Sequence, residues 1–315
     1  MLNFLNIKRI LVSILLLLFY SHLQAQEDKV VKSVQLDEVV IKASNEGRFD
    51  KEDFIKKVRE DTSFYQAFKN LRMFNYSYEG KLVVKDKNGG DKAELERVAK
   101  QHVYSGRRWV EIVDEKKRGR LQHRDGEFRY FTAAMFHYVF FPEDTAKVET
   151  AGEETMGSNM QQRFYQKLKY LMFNPGSKVE GVPFVGHRLA VFDEGLRPYY
   201  DYLVSYGKCP SGGDCYIFTS KVKDEAEEES KPVIRELISY FDVETGRIMH
   251  RSYKMNLTSL LYDFEVMMEV DLKPYKDTTV PTAVRYSGWW NIPFKKAEFV
   301  DFELEFYDYS DPVNN

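Results

Sequence analysis

The sequence predicts an α+β fold in which a curved antiparallel β-meander packs on about three helices. Three observations carry this reading. From about residue 186 the apolar residues recur with a period of two. Upstream of residue 175 they recur at helical spacing, and the later apolar runs are joined by short segments of turn chemistry.

The period of two is clearest where Phe264, Val266, Met268, Val270 and Leu272 alternate with Glu265, Glu269 and Asp271. Val300, Phe302, Leu304 and Phe306 repeat it against Asp301, Glu303 and Glu305. Val280, Val284 and Tyr286 form another apolar face, and Met249, Tyr253, Met255 and Leu257 a further one. Turns fall at "DVETG" (242–246) and "KPYKDTT" (273–279). Strands with one apolar and one charged face make an antiparallel sheet whose apolar side must be covered. The upstream helices are the available cover.

The first helix opens at Asp50, an N-cap residue with Asp53 three positions on. Phe54, Val58, Tyr65, Phe68 and Leu71 form its apolar stripe. Residues 73–84 read as extended, with a turn at 79–80. "DKNGGD" (86–91) reads as a loop feeding a second helix, with Leu95, Val98, Ala99 and His102 on one face. Segments 107–113 and 127–131 read as strands and 142–157 as loop. A third helix is expected over 159–173, carrying Met160, Phe164, Leu168 and Leu171 inward. Residues 49–315 are expected to form one domain, helix-rich over 49–175 and sheet over 186–309.

The N-terminus supplies a compartment. Lys8 and Arg9 precede an apolar run over 10–20, broken only by Ser13, and Ala25 follows a polar exit. This is the pattern of a secretory signal peptide over 1–25. The run is too short for a membrane span, which needs about 20 apolar residues. No cysteine lies near the cut, so the exported chain is expected to be non-lipidated and periplasmic or outer-membrane-associated. Residues 26–48 then read as a polar tether with one β-like run at 36–41.

Cleavage moves the formal charge from −3 to −5, a poor balance for nucleic acid, which rewards a basic face. The chain holds 21 Tyr and 23 Phe, enough aromatic mass for a substantial core. Both cysteines lie in "GKCPSGGDCYIF", between two apolar runs. Cys209 and Cys215 therefore read as a disulfide closing a hairpin tip, which an exported location permits. A redox pair would have two intervening residues, and this loop has five. "KDEAEEES" (223–230) reads as a solvated loop between strands.

Catalytic machinery has little support. His102, His123, His137, His187 and His250 show no ligand spacing, and no HExxH exists. "YSGRR", "PSGGD" and "YSGWW" all miss the G-x-S-x-G of a nucleophile elbow. "DKNGGD" fails as a calcium loop, since Asp91 and Arg97 occupy the required Gly and Glu positions. No phosphate-cradling glycine motif follows a strand. The outward carboxylates leave two readings open, a glycosidic acid–base pair or cross-strand ion pairs with Lys254 and Arg285. No cofactor and no metal are expected.

The most distinctive stretch is "RYSGWWNIPFKKAEF" (285–299). Adjacent strand residues point to opposite faces, so one of Trp289 and Trp290 joins the core and the other lies outside or lines a groove. Core packing is one reading. The other is a hydrophobic ligand surface with Pro293 and Phe294 at its rim and Lys295 and Lys296 contacting an anionic headgroup.

Two resemblances follow from these residues. "LDEVVIKAS", within residues 33–44, resembles the segment closing the carboxypeptidase-regulatory-like sandwich of Gram-negative surface proteins. It is also similar to the N-terminal box of TonB-dependent receptors. Neither parent is expected here, since the sandwich, the plug and the length for a receptor barrel are missing, so the segment reads as an exported tether with one β-like strand that docks either on its own sheet or on an envelope protein. "SYFDVETGRIMHRSYKM" (239–255), with its D-x-x-T-G turn running into strands that are acidic outside, resembles the half-barrel of periplasmic lipoprotein-sorting carriers. That resemblance implies a half-barrel-like sheet wrapping one or more helices and a greasy groove for a lipid or acyl chain. The expected function is therefore a non-enzymatic envelope protein binding a hydrophobic ligand or a membrane-protein partner. A carboxylate-based hydrolase of envelope glycans and a structural assembly module are the alternatives.

Overall fold

The computed structural model describes residues 51–140, 146–147, 172–177, 186–227, 229, 231–259, 263–291 and 297–312. The expected signal peptide, the tether with residues 33–44, and Pro293, Phe294, Lys295 and Lys296 lie outside the described residues. So does nearly all of the helix expected over 159–173, of which Met172 and Phe173 are helical.

The chain opens with helix α1 (Lys51–Glu60) and helix α2 (Ser63–Asn70). They replace the single helix expected there. The break falls at Asp61, whose Oδ1 accepts from the Ser63 amide at 3.0 Å and its hydroxyl at 2.7 Å, satisfying the first amide of α2. In α1, Glu52 and Asp53 lie in the first turn and Lys57 and Arg59 in the last, matching the helix dipole.

Strand β1 (Asn75–Lys85) follows and runs straight through residues 79–80, where a turn was expected. Gly80 serves a close approach instead. A Cβ there would lie 2.5 Å from Leu304 Cδ2 on the neighbouring strand. "DKNGGD" is a hairpin turn in which Asp86 Oδ1 accepts from the amides of Asn88 (2.8 Å) and Gly90 (3.0 Å).

Beyond it the expected helix is strand β2 (Asp91–Tyr104). Its inward row is Ala93, Leu95, Arg97, Ala99, Gln101 and Val103, all buried. Two polar residues in that row hide the alternation from a hydrophobicity pattern. Gln101 Nε2 donates to the carbonyls of Leu71 (2.6 Å) and Phe74 (2.8 Å), and Arg97 pairs with Glu115, so both are satisfied inside. Ser105 and Gly106, both at positive φ, turn the chain into β3 (Arg107–Gly119).

The strand expected over 127–131 reduces to one bridge, Gln122 to Phe128. Helix α3 (Phe131–Phe140) begins at its end. FTAAMFHYVF is apolar almost all round, so it shows no helical stripe.

The short β4 (Ala146–Lys147) pairs with the start of β3. The later strands are β5 (Tyr200–Lys208), β6 (Asp214–Val222), β7 (Ile234–Asp242), β8 (Ile248–Leu257), β9 (Asp263–Tyr275), β10 (Thr278–Asn291) and β11 (Glu298–Ser310). All pairings are antiparallel, in the order β4-β3-β2-β1-β11-β10-β9-β8-β7-β6-β5. The sheet thus reaches into the stretch expected to be helix-rich, because β1 docks on β11 and carries β2 and β3 outward. Pro281 sits at a bulge between β9 and β10, where its missing amide breaks no regular ladder.

The hairpin tip between β5 and β6 is closed by the Cys209–Cys215 disulfide, as its spacing predicts. The acidic 223–230 stretch joins β6 to β7 through a short 3₁₀ turn at Asp224–Ala226. Among the described residues no helix is long and apolar enough to cross a membrane. Loop-closure entropy makes so small a disulfide worth about 2 kcal/mol. Cys209→Ser with Cys215→Ser should therefore lower the urea unfolding free energy by about that much and leave the far-ultraviolet circular dichroism unchanged.

Candidate functional site

The inner face of the sheet and the helices over it form one aromatic seam. Tyr286 of β10 stacks on Phe302 of β11 at 4.7 Å. Over Phe302 lies α3, with Phe136 at 4.3 Å and Phe140 at 6.0 Å. Phe173 meets Phe140 edge-on at 5.7 Å and stacks on Phe68 of α2 at 3.8 Å. At the far side Phe54 of α1 lies edge-on to Tyr216 of β6 and Phe241 of β7. All these rings are buried. Each large aromatic side chain removes 150–250 Å² from water, so the seam dominates the packing energy.

The sheet also holds the ends of the covering helices. A helix leaves amides open at its start and carbonyls open at its end. Buried Glu298 of β11 accepts from the α3 amides of Phe131 (2.7 Å) and Thr132 (3.0 Å), and from the Thr132 hydroxyl (3.3 Å). At the other end the Tyr78 hydroxyl donates to the carbonyl of Phe140 at 3.4 Å. Tyr253 does the same for Met172 at 2.5 Å, and Gln101 for Leu71 just past α2. Asn70 at the end of α2 donates to the carbonyl of Thr279 at 2.8 Å. Burial pushes the Tyr253 and Tyr78 phenols above their usual range, so both stay protonated donors.

One buried cation completes the attachment. Arg251 of β8 donates through Nε to Ser239 Oγ at 2.9 Å, and its guanidinium lies 4.6 Å above the Phe64 ring of α2. Burial lowers its pKa to about 10 against the opposing pull of Asp61, so it remains charged at neutral pH.

Trp290 lies in this seam. Its ring packs on Phe264 (4.5 Å) and Phe131 (6.0 Å), and its Nε1 donates to the Tyr286 hydroxyl at 2.6 Å. Trp289 points to the opposite face, where it stacks on Phe299. The sequence pattern places one inside and one outside, and only the register to β9 and β11 decides which.

The outer face is a lattice of ion pairs. Lys81 bridges Glu94 (2.5 Å) and Glu96 (2.9 Å). Arg285 bridges Asp271 (2.7 Å) and Glu303 (3.0 Å), and Lys254 pairs with Glu236 at 3.1 Å. His250 Nδ1 lies 2.7 Å from Asp271. A depression of about 380 Å³ opens on this face, lined by Glu79, Lys81, Glu96, Asp114, Lys116, Glu303 and Glu305 among others. The hydrogen bond from Lys81 holds Glu94 below the usual carboxylate range, and that from His250 does the same for Asp271. A glycosidic general acid needs the opposite shift.

The five histidines are dispersed. His102 stacks on Trp109 and meets Glu111, His137 meets Arg97, His250 meets Asp271, and His123 and His187 sit in loop and 3₁₀ segments. Among the described residues no three His, Cys, Asp or Glu side chains group as metal ligands. Glu298, Tyr78, Tyr253 and Gln101 carry no sequence signal as caps, because their partners lie 27 to 167 residues away.

No protein-family model matches the sequence, and no curated protein matches it. Among solved structures the chain is similar to a putative outer membrane lipoprotein-sorting protein domain from Vibrio parahaemolyticus. That match has 10% identity and a TM-score of 0.26, covering 78% of this chain and 90% of that one. It is also similar to a LolA superfamily protein from Nitrosomonas europaea (7%, TM-score 0.23, covering 80% and 93%). A DUF1329 family protein from Desulfovibrio piger is a third (10%, TM-score 0.25, covering 79% and 92%).

Two outcomes test the attachment and the lattice. Glu298→Ala leaves buried amides of α3 unpaired and should cost about 2 kcal/mol, read from urea unfolding. Asp271 has a folded pKa below its ordinary 3.8, so its contribution is present above that pH and lost as pH falls through the folded value. Asp271→Asn should therefore lower Tm at pH 7, and the two melting curves should converge as pH falls through the depressed folded pKa of Asp271.

Proposed function

We propose that this chain is an exported, non-enzymatic envelope protein that binds a hydrophobic ligand, a lipid or acyl chain, between its sheet and its helical cover. The observation that carries this reading is how the cover is built. It consists of helices of 8–10 residues lying on one apolar core rich in aromatic rings. The ends of α2 and α3 are held by side chains of the sheet, Gln101, Tyr78 and Glu298. A cover in short pieces can separate from the sheet without unpairing any strand, and what it uncovers is apolar.

The compartment fits. The Cys209–Cys215 bond suits an oxidising location, in agreement with the signal-peptide pattern at 1–25. A non-enzymatic role is supported by the ion pairs that occupy carboxylates of the charged face, Lys81 with Glu94 and Glu96 and Arg285 with Asp271 and Glu303. We assign the entrance to the end of β10, where Trp290 meets Phe131 at the start of α3. Phe294, Lys295 and Lys296 follow in the sequence to supply an apolar rim and cations for an anionic headgroup.

Native mass spectrometry of the purified protein, followed by solvent extraction, should release a bound lipid. A fluorescent fatty acid should exchange into the emptied protein. Tyr253→Phe removes only the hydroxyl that holds the Met172 carbonyl. It should cost about 1 kcal/mol and speed fatty-acid uptake, while Lys295→Glu with Lys296→Glu should weaken uptake at unchanged Tm. Absence of both co-purified lipid and uptake would sink the carrier reading.

A further inference from the structure

The strand edge at β5 leaves much apolar surface uncovered. β5 ends the sheet on its side, and no strand lies beyond it among the described residues. It is nine residues long, without proline or a register shift against β6. Leu203 and Tyr206 are 57% and 63% exposed. Sheets keep such edges short, charged or covered, because their free amides and carbonyls template another strand.

We propose that residues 35–42 of the same chain, "QLDEVVIK", add to the free edge of β5 as a further antiparallel strand, with Lys42 opposite Asp201. This rests on β5 and on the start of α1, and is independent of the ligand reading above.

Charge and face complementarity fix the register. With Lys42 opposite Asp201, Ile41 faces Tyr202, Val40 faces Leu203 and Val39 faces Val204. Opposed residues in an antiparallel pair share a face. Tyr202 and Val204 belong to the inner row of β5, opposite Ser220 and Phe218 of β6, both buried. Ile41 and Val39 would extend that inner row, and Val40 would cover exposed Leu203 outside. Asp201 is exposed, with Lys221 of β6 opposite it on one side and its other side open, so Lys42 would meet the carboxylate from the free edge. A slip of one residue would send Lys42 to the inner face beside Tyr202 and lose every match at once.

The path of the chain fixes the direction. The described fold begins with α1, where Glu52 accepts from Arg197 at 3.2 Å, four residues before Asp201. Phe54 then packs on Tyr216 and Phe241, so α1 lies over the strands next to β5. Antiparallel pairing leaves Lys42 at this same end, and residues 43–50 span up to about 30 Å when extended. Parallel pairing would add the length of β5, about 25 Å, to that span.

Hydrogen exchange read by mass spectrometry on the chain with residues 26–48 intact tests this. Amides of residues 36–41 and 202–206 should exchange at least about tenfold more slowly than in Val39→Pro/Ile41→Pro, with β9 and β10 unchanged. Lys42→Asp and Asp201→Lys should each speed exchange in both segments several-fold, and the two together should restore protection. Equal exchange in parent and proline variant would overturn the proposal. So would protection that rises with protein concentration alongside a dimeric mass by light scattering, which would give the edge to a second copy. A charge swap that fails to restore protection would overturn the register.

Discussion

An open sheet with one apolar face cannot stand in water, and everything else in this fold answers that constraint. The cover is made of pieces too short to hold themselves. Helices of 8–10 residues are marginal in isolation, because nucleation costs more than so few hydrogen bonds return. The sheet therefore supplies their packing surface and caps for α2 and α3. Glu298 meets the start of α3, and Tyr78, Tyr253 and Gln101 meet carbonyls at or near the ends of α3, the 172–173 turn and α2. Ring packing and these caps together hold the cover on the sheet.

The two faces of the sheet use different physics. Inside, aromatic rings in offset and edge-on contact bury large areas, and the few polar groups present are satisfied one by one. Arg251 is the extreme case, a buried cation retained because Ser239, the Phe64 ring and Asp61 all lie around it. Outside, cross-strand ladders such as His250–Asp271–Arg285–Glu303 run across β8, β9, β10 and β11. Such partly exposed pairs contribute little each, and they set register and solubility more than stability. A ligand entering between helix and sheet would disturb the first kind of interaction and leave the second intact. That separation is what makes a binding role compatible with a stable scaffold.

Legibility differed by element for reasons that can be named. The strands from β8 to β11 alternate legibly because their inward residues are apolar but for a few such as Arg251 and Glu298, and the outward ones are free to be charged. β2 does not, because Arg97 and Gln101 face inward and find partners on Glu115 and on the carbonyls of Leu71 and Phe74. The accidental spacing of Leu95, Val98, Ala99 and His102 then mimics a helix. α3 fails in the opposite way: a helix buried nearly all round has no polar face to betray its period. For the candidate site, the tryptophan pair was visible as one inside and one outside. The caps that attach the cover were not, since none is within reach of a local window.

What the amino-acid sequence determined by itself is the chemistry of each segment: the alternating faces of the late strands, the disulfide at 209 and 215, and the hairpin turns. These depend on neighbours only a few residues apart. Tertiary structure alone decided that Gly80 passes under Leu304, that Trp290 rather than Trp289 turns inward, and that a glutamate in the last strand caps a helix 166 residues before it. Each of these is set by where two distant segments meet, and no local pattern carries that distance.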